Sequence, residues 1–250
     1  GSPASLIRGI AAAVKSRGFE PIGLDICIHS DVPAGSGLSS SAAYEVLIGC
    51  IFNSFCCGAM LEPIEMARIG QYAENHFFGK PCGLMDQAAC ALGGLAMIDF
   101  KGAGFPRVER LSCSLAEQGY TLCIIDCGAD HADLTDEYGS ITRELGEIAS
   151  ALGAQYLCEA GEEKFYSSIS GLRRIAGDRA VLRAMHIFEE DKRAGLQASA
   201  LKEGDFGAFL RLVYESGLSS WRFLQNVVPC GAVWHQELAF ALGLCEKLLG

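Results

Sequence analysis

Mixed α and β structure, in one large domain or two ordinary ones, is the fold class this sequence predicts, and three observations predict it. Ile22, Leu24, Ile26 and Ile28 alternate along one run, the period of a strand with one buried face. Leu6, Ile7, Ile10 and Val14 recur at the spacing of a helix with one apolar stripe. Half of the 250 residues are apolar, so a chain of this length can bury a substantial core.

Taken in order, the first helix ends at Gly18 and the strand runs on to His29. A helix-like segment spans Ser41 to about Phe55, and another starts at Pro63 and passes through Met66, Ile69 and Tyr72 to Glu74 and Asn75. Proline suits a first helical turn, where its missing N–H costs nothing. Gly79, Pro81 and Gly83 break the pattern; Leu84 to Leu92 reads as a short buried helix and Leu95 to Phe100 as a strand. A domain boundary is expected near residue 115, giving units 1–115 and 116–250. The second opens with a strand, Thr121 to Asp126, and is then helical near Leu134 to Leu152, Arg179 to Glu203, Phe206 to Gln225 and His235 to Leu249. The polar stretch Cys158 to Ile169 reads as a surface loop or short helix.

Composition excludes several classes of function. A net charge of −10 without a basic stripe argues against a nucleic-acid partner, which needs clustered Lys and Arg. The apolar run Leu47 to Cys57 is interrupted by Asn53 and Ser54 and is far short of a membrane span, so a soluble, cytoplasmic protein without a membrane partner is expected. Twelve cysteines without a C-x-x-C spacing read as reduced, mostly buried structural thiols. The nearest approach to metal spacing is Cys123 and Cys127, with His131 close by. The chain opens without Met inside a helix-like stretch and reads as a fragment.

The most informative stretch is Asp31 to Ala43, which contains Gly35, Gly37 and the consecutive serines Ser39, Ser40 and Ser41 between the expected strand and the following helix. Glycines let a backbone approach a ligand, and N–H groups at a helix start suit a phosphate. Two better-known phosphate loops do not fit. No lysine lies between Lys15 and Lys80, as the P-loop requires, and Ser40 stands where the dinucleotide motif needs its third glycine. A second stretch, Ala73 to Gln87, sets Glu74 and Asp86 twelve positions apart across a Gly/Pro turn. On residue type alone, Glu74 reads first as a solvated helix carboxylate and Asp86 as a helix N-cap.

Pro33 to Ala43 resembles the phosphate-binding motif of the GHMP kinases, and Gly83-Leu84-Met85-Asp86-Gln87 resembles a segment of the galactokinase branch of that family. The two motifs stand in the family's order. The resemblance implies an α+β, two-domain GHMP kinase fold, with a ribosomal protein S5 domain 2-like first domain and a ferredoxin-like second, both incomplete here. It implies phosphorylation of the anomeric hydroxyl of galactose by Mg2+ and ATP, in a monomer or weak oligomer. By resemblance, Pro33, Gly35, Ser36, Gly37, Leu38, Ser39, Ser40 and Ser41 hold the nucleotide, and Ser41 and Glu74 hold the Mg2+. Asp86 becomes the base on the sugar hydroxyl, with Gly83, Asp86 and Tyr138 at the sugar. The family's opening galactokinase signature and closing glycine-rich motif are absent, and Asp130 stands where many galactokinases carry Arg or Lys. The alternatives are another acceptor within the family and a non-catalytic sugar and nucleotide sensor.

Overall fold

The computed structural model describes residues 2–32, 37–101, 105–128 and 135–249. Pro33, Gly35, Ser36, Asp130 and His131 therefore lie outside the described residues. The chain divides into two compact units, Gly1–Arg110 and Leu111–Gly250.

The first unit is built from helices α1 (Pro3–Lys15), α2 (Ser40–Cys56), α3 (Pro63–Ala73) and α4 (Met85–Leu92), with strands β1 (Leu95–Asp99) and β2 (Arg107–Leu111) paired in a two-stranded sheet. Pro3 and Pro63 each open a helix, as their ring geometry favours. The apolar stripe of α1, Leu6, Ile10 and Val14, packs with Ile48 and Phe52 of α2 and with Met66, Ile69 and Ala73 of α3. Buried Asn53 closes the connection between α2 and α3: its Nδ2 donates to the Leu61 carbonyl at 3.0 Å, and its Oδ1 accepts from the Leu61 N–H at 3.0 Å.

The run from Ile22 to Ile28 is not a strand, and Ile22, Ile26 and Ile28 are exposed. The same holds for Thr121 to Asp126, where Leu122, Ile124 and Ile125 are exposed. A strand exists only through the N–H and C=O groups of a neighbour, and among the described residues the one ladder is that of β1 with β2. Alternation alone supplied the pattern but no partner.

The second unit is helical: α5 (Thr135–Ala151), α6 (Leu157–Ala160), α7 (Glu162–Glu203), α8 (Phe206–Ser219) and α9 (Glu237–Leu249). α7 is two helices joined at Gly177, whose φ of +86° breaks the run. Of the two alternatives for Cys158 to Ile169, the helical one holds over most of its length, and the helix runs on well beyond it. Its apolar residues explain why: Phe165 is fully buried and packs with Leu157, Leu172 and Ile148, and such burial outweighs the polar residues between them.

All twelve cysteines are free of disulfides, but only Cys57 is buried. The expectation of mostly buried thiols is therefore corrected: the others are half-buried or exposed, on helices and connecting segments alike. Cys123 is exposed and Cys127 half-buried. No helix of the described residues is long and apolar enough to cross a membrane.

Candidate functional site

The serine stretch forms the start of α2. Gly37 has a φ of +73°. Ser39, the residue that precedes the helix, is also left-handed at φ 57°, ψ 45°, and its side chain makes no capping hydrogen bond. A non-glycine residue in that region costs roughly 1 kcal/mol, and such strain recurs where backbone is held for a ligand. Leu38 is exposed, while Ser39, Ser40 and Ser41 are half-buried. The first-turn N–H groups of α2, which no intrahelical carbonyl can satisfy, end at this exposed turn.

One turn beyond Ser41 on the same helix, Glu45 is fully buried. Glu74 begins a π-helical turn, Glu74–Phe78, that follows α3. The widened turn is closed by the Gly79 N–H donating to the Glu74 carbonyl at 2.9 Å. It leaves the Glu74 side chain 3% exposed. Gln87 in α4, 1% exposed, joins the two acids: its Nε2 donates to Glu45 Oε2 at 3.0 Å and to Glu74 Oε2 at 2.9 Å, and lies 3.5 Å from Cys82 Sγ. Lys80 Nζ stands 3.7 Å from the other Glu74 oxygen, Oε1. The turn between Glu74 and α4 is pinned by Asn75, whose Oδ1 accepts from the Cys82 N–H at 2.7 Å, and by Gln71 Nε2, which donates to the Cys82 carbonyl at 3.2 Å.

Electrostatics follow from this crowding. Burial pushes the Glu45 carboxyl up from 4.5 to about 7; the Gln87 hydrogen bond and Lys80 oppose the shift, and the charges of Glu74 and Asp86 add to it. The Cys82 thiol is pushed up to about 12, first by burial and then by its hydrogen bond to Glu74. Glu45 Oε1 and Gln87 Oε1 are buried without a hydrogen-bond partner, which is costly unless something else meets them.

Asp86 is exposed and sits second in α4, which starts at Met85 after Leu84 in the capping position. The N-cap alternative for Asp86 is thereby removed: its carboxylate lies inside the first turn. Gly83 is exposed with a negative-φ backbone, and a Cβ built on it would meet nothing within 4 Å. Tyr138 is in the first turn of α5, in the second unit, and 44% exposed. Among the described residues no group of three or more His, Cys, Asp or Glu is placed to hold a metal ion.

Glu45 and Gln87 were not singled out from the sequence. The signal was there, because Glu45 is the only charged residue in the otherwise apolar α2, and a lone carboxylate on such a helix must be buried or explained.

Residues 5–94 match the family model described as GHMP kinases N terminal domain. The galactokinase of Glaesserella parasuis is 36% identical over 98% of this chain and 61% of its own length. Those of Thermotoga petrophila and Actinobacillus pleuropneumoniae are 30% and 34% identical, over 84% and 81% of this chain and 57% and 52% of their own lengths. The chain thus spans about 60% or less of these curated relatives. A crystal structure of Lactococcus lactis galactokinase complexed with galactose superposes with a TM-score of 0.65 at 22% identity, covering 91% of this chain and 58% of that one. The two proteins share a fold.

Proposed function

From the premise that this chain belongs to the GHMP kinase family, we propose that it is part of a galactokinase, which transfers the γ-phosphoryl group of ATP to the anomeric hydroxyl of galactose. One observation carries the reading. The Gln87 amide ties two separate stretches, the serine helix through Glu45 and the π turn through Glu74, to α4, the helix whose first turn carries Asp86. Phosphoryl transfer wants those three parts at one place, namely a phosphate cradle, a hard-cation ligand and a carboxylate on the attacking hydroxyl.

In this reading the start of α2, Gly37 to Ser41, receives the nucleotide phosphates on N–H groups and hydroxyls, with Pro33, Gly35 and Ser36 leading into it. The residues present fit a magnesium ion: the available donors are oxygens, and the carboxylate oxygen of Glu74 that Gln87 leaves unbound has an exposed lysine, Lys80, at 3.7 Å. Ser41 and Glu74 would hold the ion, which when bound neutralises charge on the phosphates. Asp86, exposed at the start of α4, accepts the proton of the sugar hydroxyl as that oxygen attacks phosphorus. Gly83 leaves the backbone open to the sugar. Residues 1–115 would then be part of the nucleotide-binding, S5 domain 2-like domain and 116–250 part of a ferredoxin-like one, in a cytoplasmic monomer or weak oligomer.

The test is ATP turnover by the full-length protein with a panel of acceptor sugars and alcohols. Saturable, Mg2+-dependent turnover is expected with galactose. Turnover with a different acceptor would move the protein within its family, and binding of sugar and nucleotide without turnover would make it a sensor.

A further inference from the structure

We propose that Gln87 is a positioning residue for the Glu74 carboxylate, holding one of its oxygens against the buried anchor Glu45 so that the other is presented to the cation. The inference rests on the kinase reading and assigns roles to two residues, Gln87 and Glu45, that stand outside its base, nucleotide and metal-holding set.

The geometry separates the two oxygens of Glu74. Oε2 accepts from Gln87 Nε2 at 2.9 Å, on the side where Glu45 Oε2 accepts from the same amide at 3.0 Å. Oε1 has instead the ammonium of Lys80 at 3.7 Å, on a side chain that is 61% exposed. The inner oxygen is thus spoken for and the outer one faces an exposed surface cation, which a divalent ion can replace. Both hydrogens of the amide are committed to carboxylates, so rotation about the last Gln87 torsion would lose both bonds and set its carbonyl against two acids.

Packing supports a dedicated clamp. Gly70 of α3 lies beneath it, and a Cβ there would come 3.1 Å from Glu45 Cβ, 3.3 Å from Glu45 Oε2 and 3.4 Å from Gln87 Cγ. These are tighter than ordinary van der Waals contacts, so any larger residue would push the anchor and the amide apart. Partners that orient a metal-holding side chain typically govern metal affinity by 10–100-fold.

The experiment uses the full-length protein and Mn2+ as the probe, reading its binding with ADP by paramagnetic resonance, beside the affinity for ADP without metal and the melting temperature. Gln87→Met keeps the volume and removes the donor. It is expected to weaken Mn2+ in the ADP complex about tenfold or more while ADP alone binds as before. Gly70→Ala, which removes no polar group, is expected to shift Mn2+ affinity in the same direction by less, and it carries the test if Gln87→Met does not fold. Glu74→Gln runs alongside. A shift with Glu74→Gln but none with the Gln87 and Gly70 variants overturns the clamp and leaves the kinase reading intact. No shift with Glu74→Gln overturns the assignment of Glu74 as a metal ligand, and the clamp with it. A fall in melting temperature without a change in the Mn2+ affinity makes Gln87 a structural residue only.

Discussion

Each unit of this protein buries a polar network, and the two are balanced in opposite ways. In the second unit, fully buried Arg183 donates from Nη1 to Glu144 Oε2 at 2.9 Å and to Ser140 Oγ at 2.7 Å, and from Nε to the Leu224 carbonyl at 2.8 Å. Arg179 donates to Glu144 through Nε at 3.0 Å, and both arginines face Glu137. Two cations there meet two anions. In the first unit, two buried carboxylates share one neutral amide, and the single nearby cation, Lys80, is exposed. Buried charge is tolerated when paired and hydrogen-bonded; an unbalanced excess is the mark of a site that works on something else. The arginine network therefore reads as architecture joining α5, α7 and the π turn Ser220–Leu224, and the carboxylate network as chemistry.

The largest expected effect breaks the balanced side. Arg183→Met leaves Glu144 and Glu137 sharing Arg179 as their one cation and should cost about 3–5 kcal/mol of stability, measured by denaturant unfolding of the full-length protein, with the Mg2+ dependence of any surviving activity unmoved. A loss below about 1 kcal/mol would mean that the network is not what holds these helices together.

On the unbalanced side the expected effect is on rate. Asp86→Asn should lower turnover roughly 10²-fold or more, the scale of general-base catalysis, with melting temperature and nucleotide affinity nearly unchanged, since Asp86 is exposed and is not the helix cap. Unaltered turnover would remove Asp86 from the chemistry and favour the sensor.

The two units should also respond to pH in opposite directions. Glu45 is raised from 4.5 to about 7, so its protonated form is favoured on folding. The stability it contributes is complete below pH 4.5 and is lost as pH rises through about 7. His186, whose Nδ1 lies 2.9 Å from Ser219 Oγ, is held below its ordinary 6.5 by burial. Its contribution is present above pH 6.5 and is lost as pH falls. Hydrogen exchange followed separately in α2 with α4 and in α7 with α8 should show protection falling toward high pH in the first pair and toward low pH in the second. Glu45→Gln should flatten the first trend, and parallel trends in both pairs would refute the contrast.

The smallest expected effect is at Gly83. Its Cβ position is open, so Gly83→Ala should change stability by no more than about 0.5 kcal/mol while raising the KM for sugar. An unchanged KM would place the sugar elsewhere.

Much of the local architecture was readable from the chain. The apolar stripe of α1, the proline that opens α3, the Gly/Pro break before α4 and the run of β1 are signals carried within a turn or two. Both motifs that point to the family are contiguous stretches, and so were legible in the same way. The expected strands at Ile22 to Ile28 and Thr121 to Asp126 were not realised, because a strand is completed by its neighbour. The helix through Phe165 was left open between loop and short helix, and its length and burial come from apolar contacts, Leu157, Leu172 and Ile148, that the polar residues between them hide in sequence.

What the sequence determined by itself was therefore most of the helices and the two contiguous motifs that point to the family, each fixed by residues close together in the chain. What only the tertiary structure decided was the company those residues keep. Gln87 is 42 positions from Glu45 and 13 from Glu74, and a hydrogen bond across such distances exists only after α2, α3 and α4 have packed. That packing buries the carboxylates, and burial is what raises Glu45 and leaves the site short of positive charge.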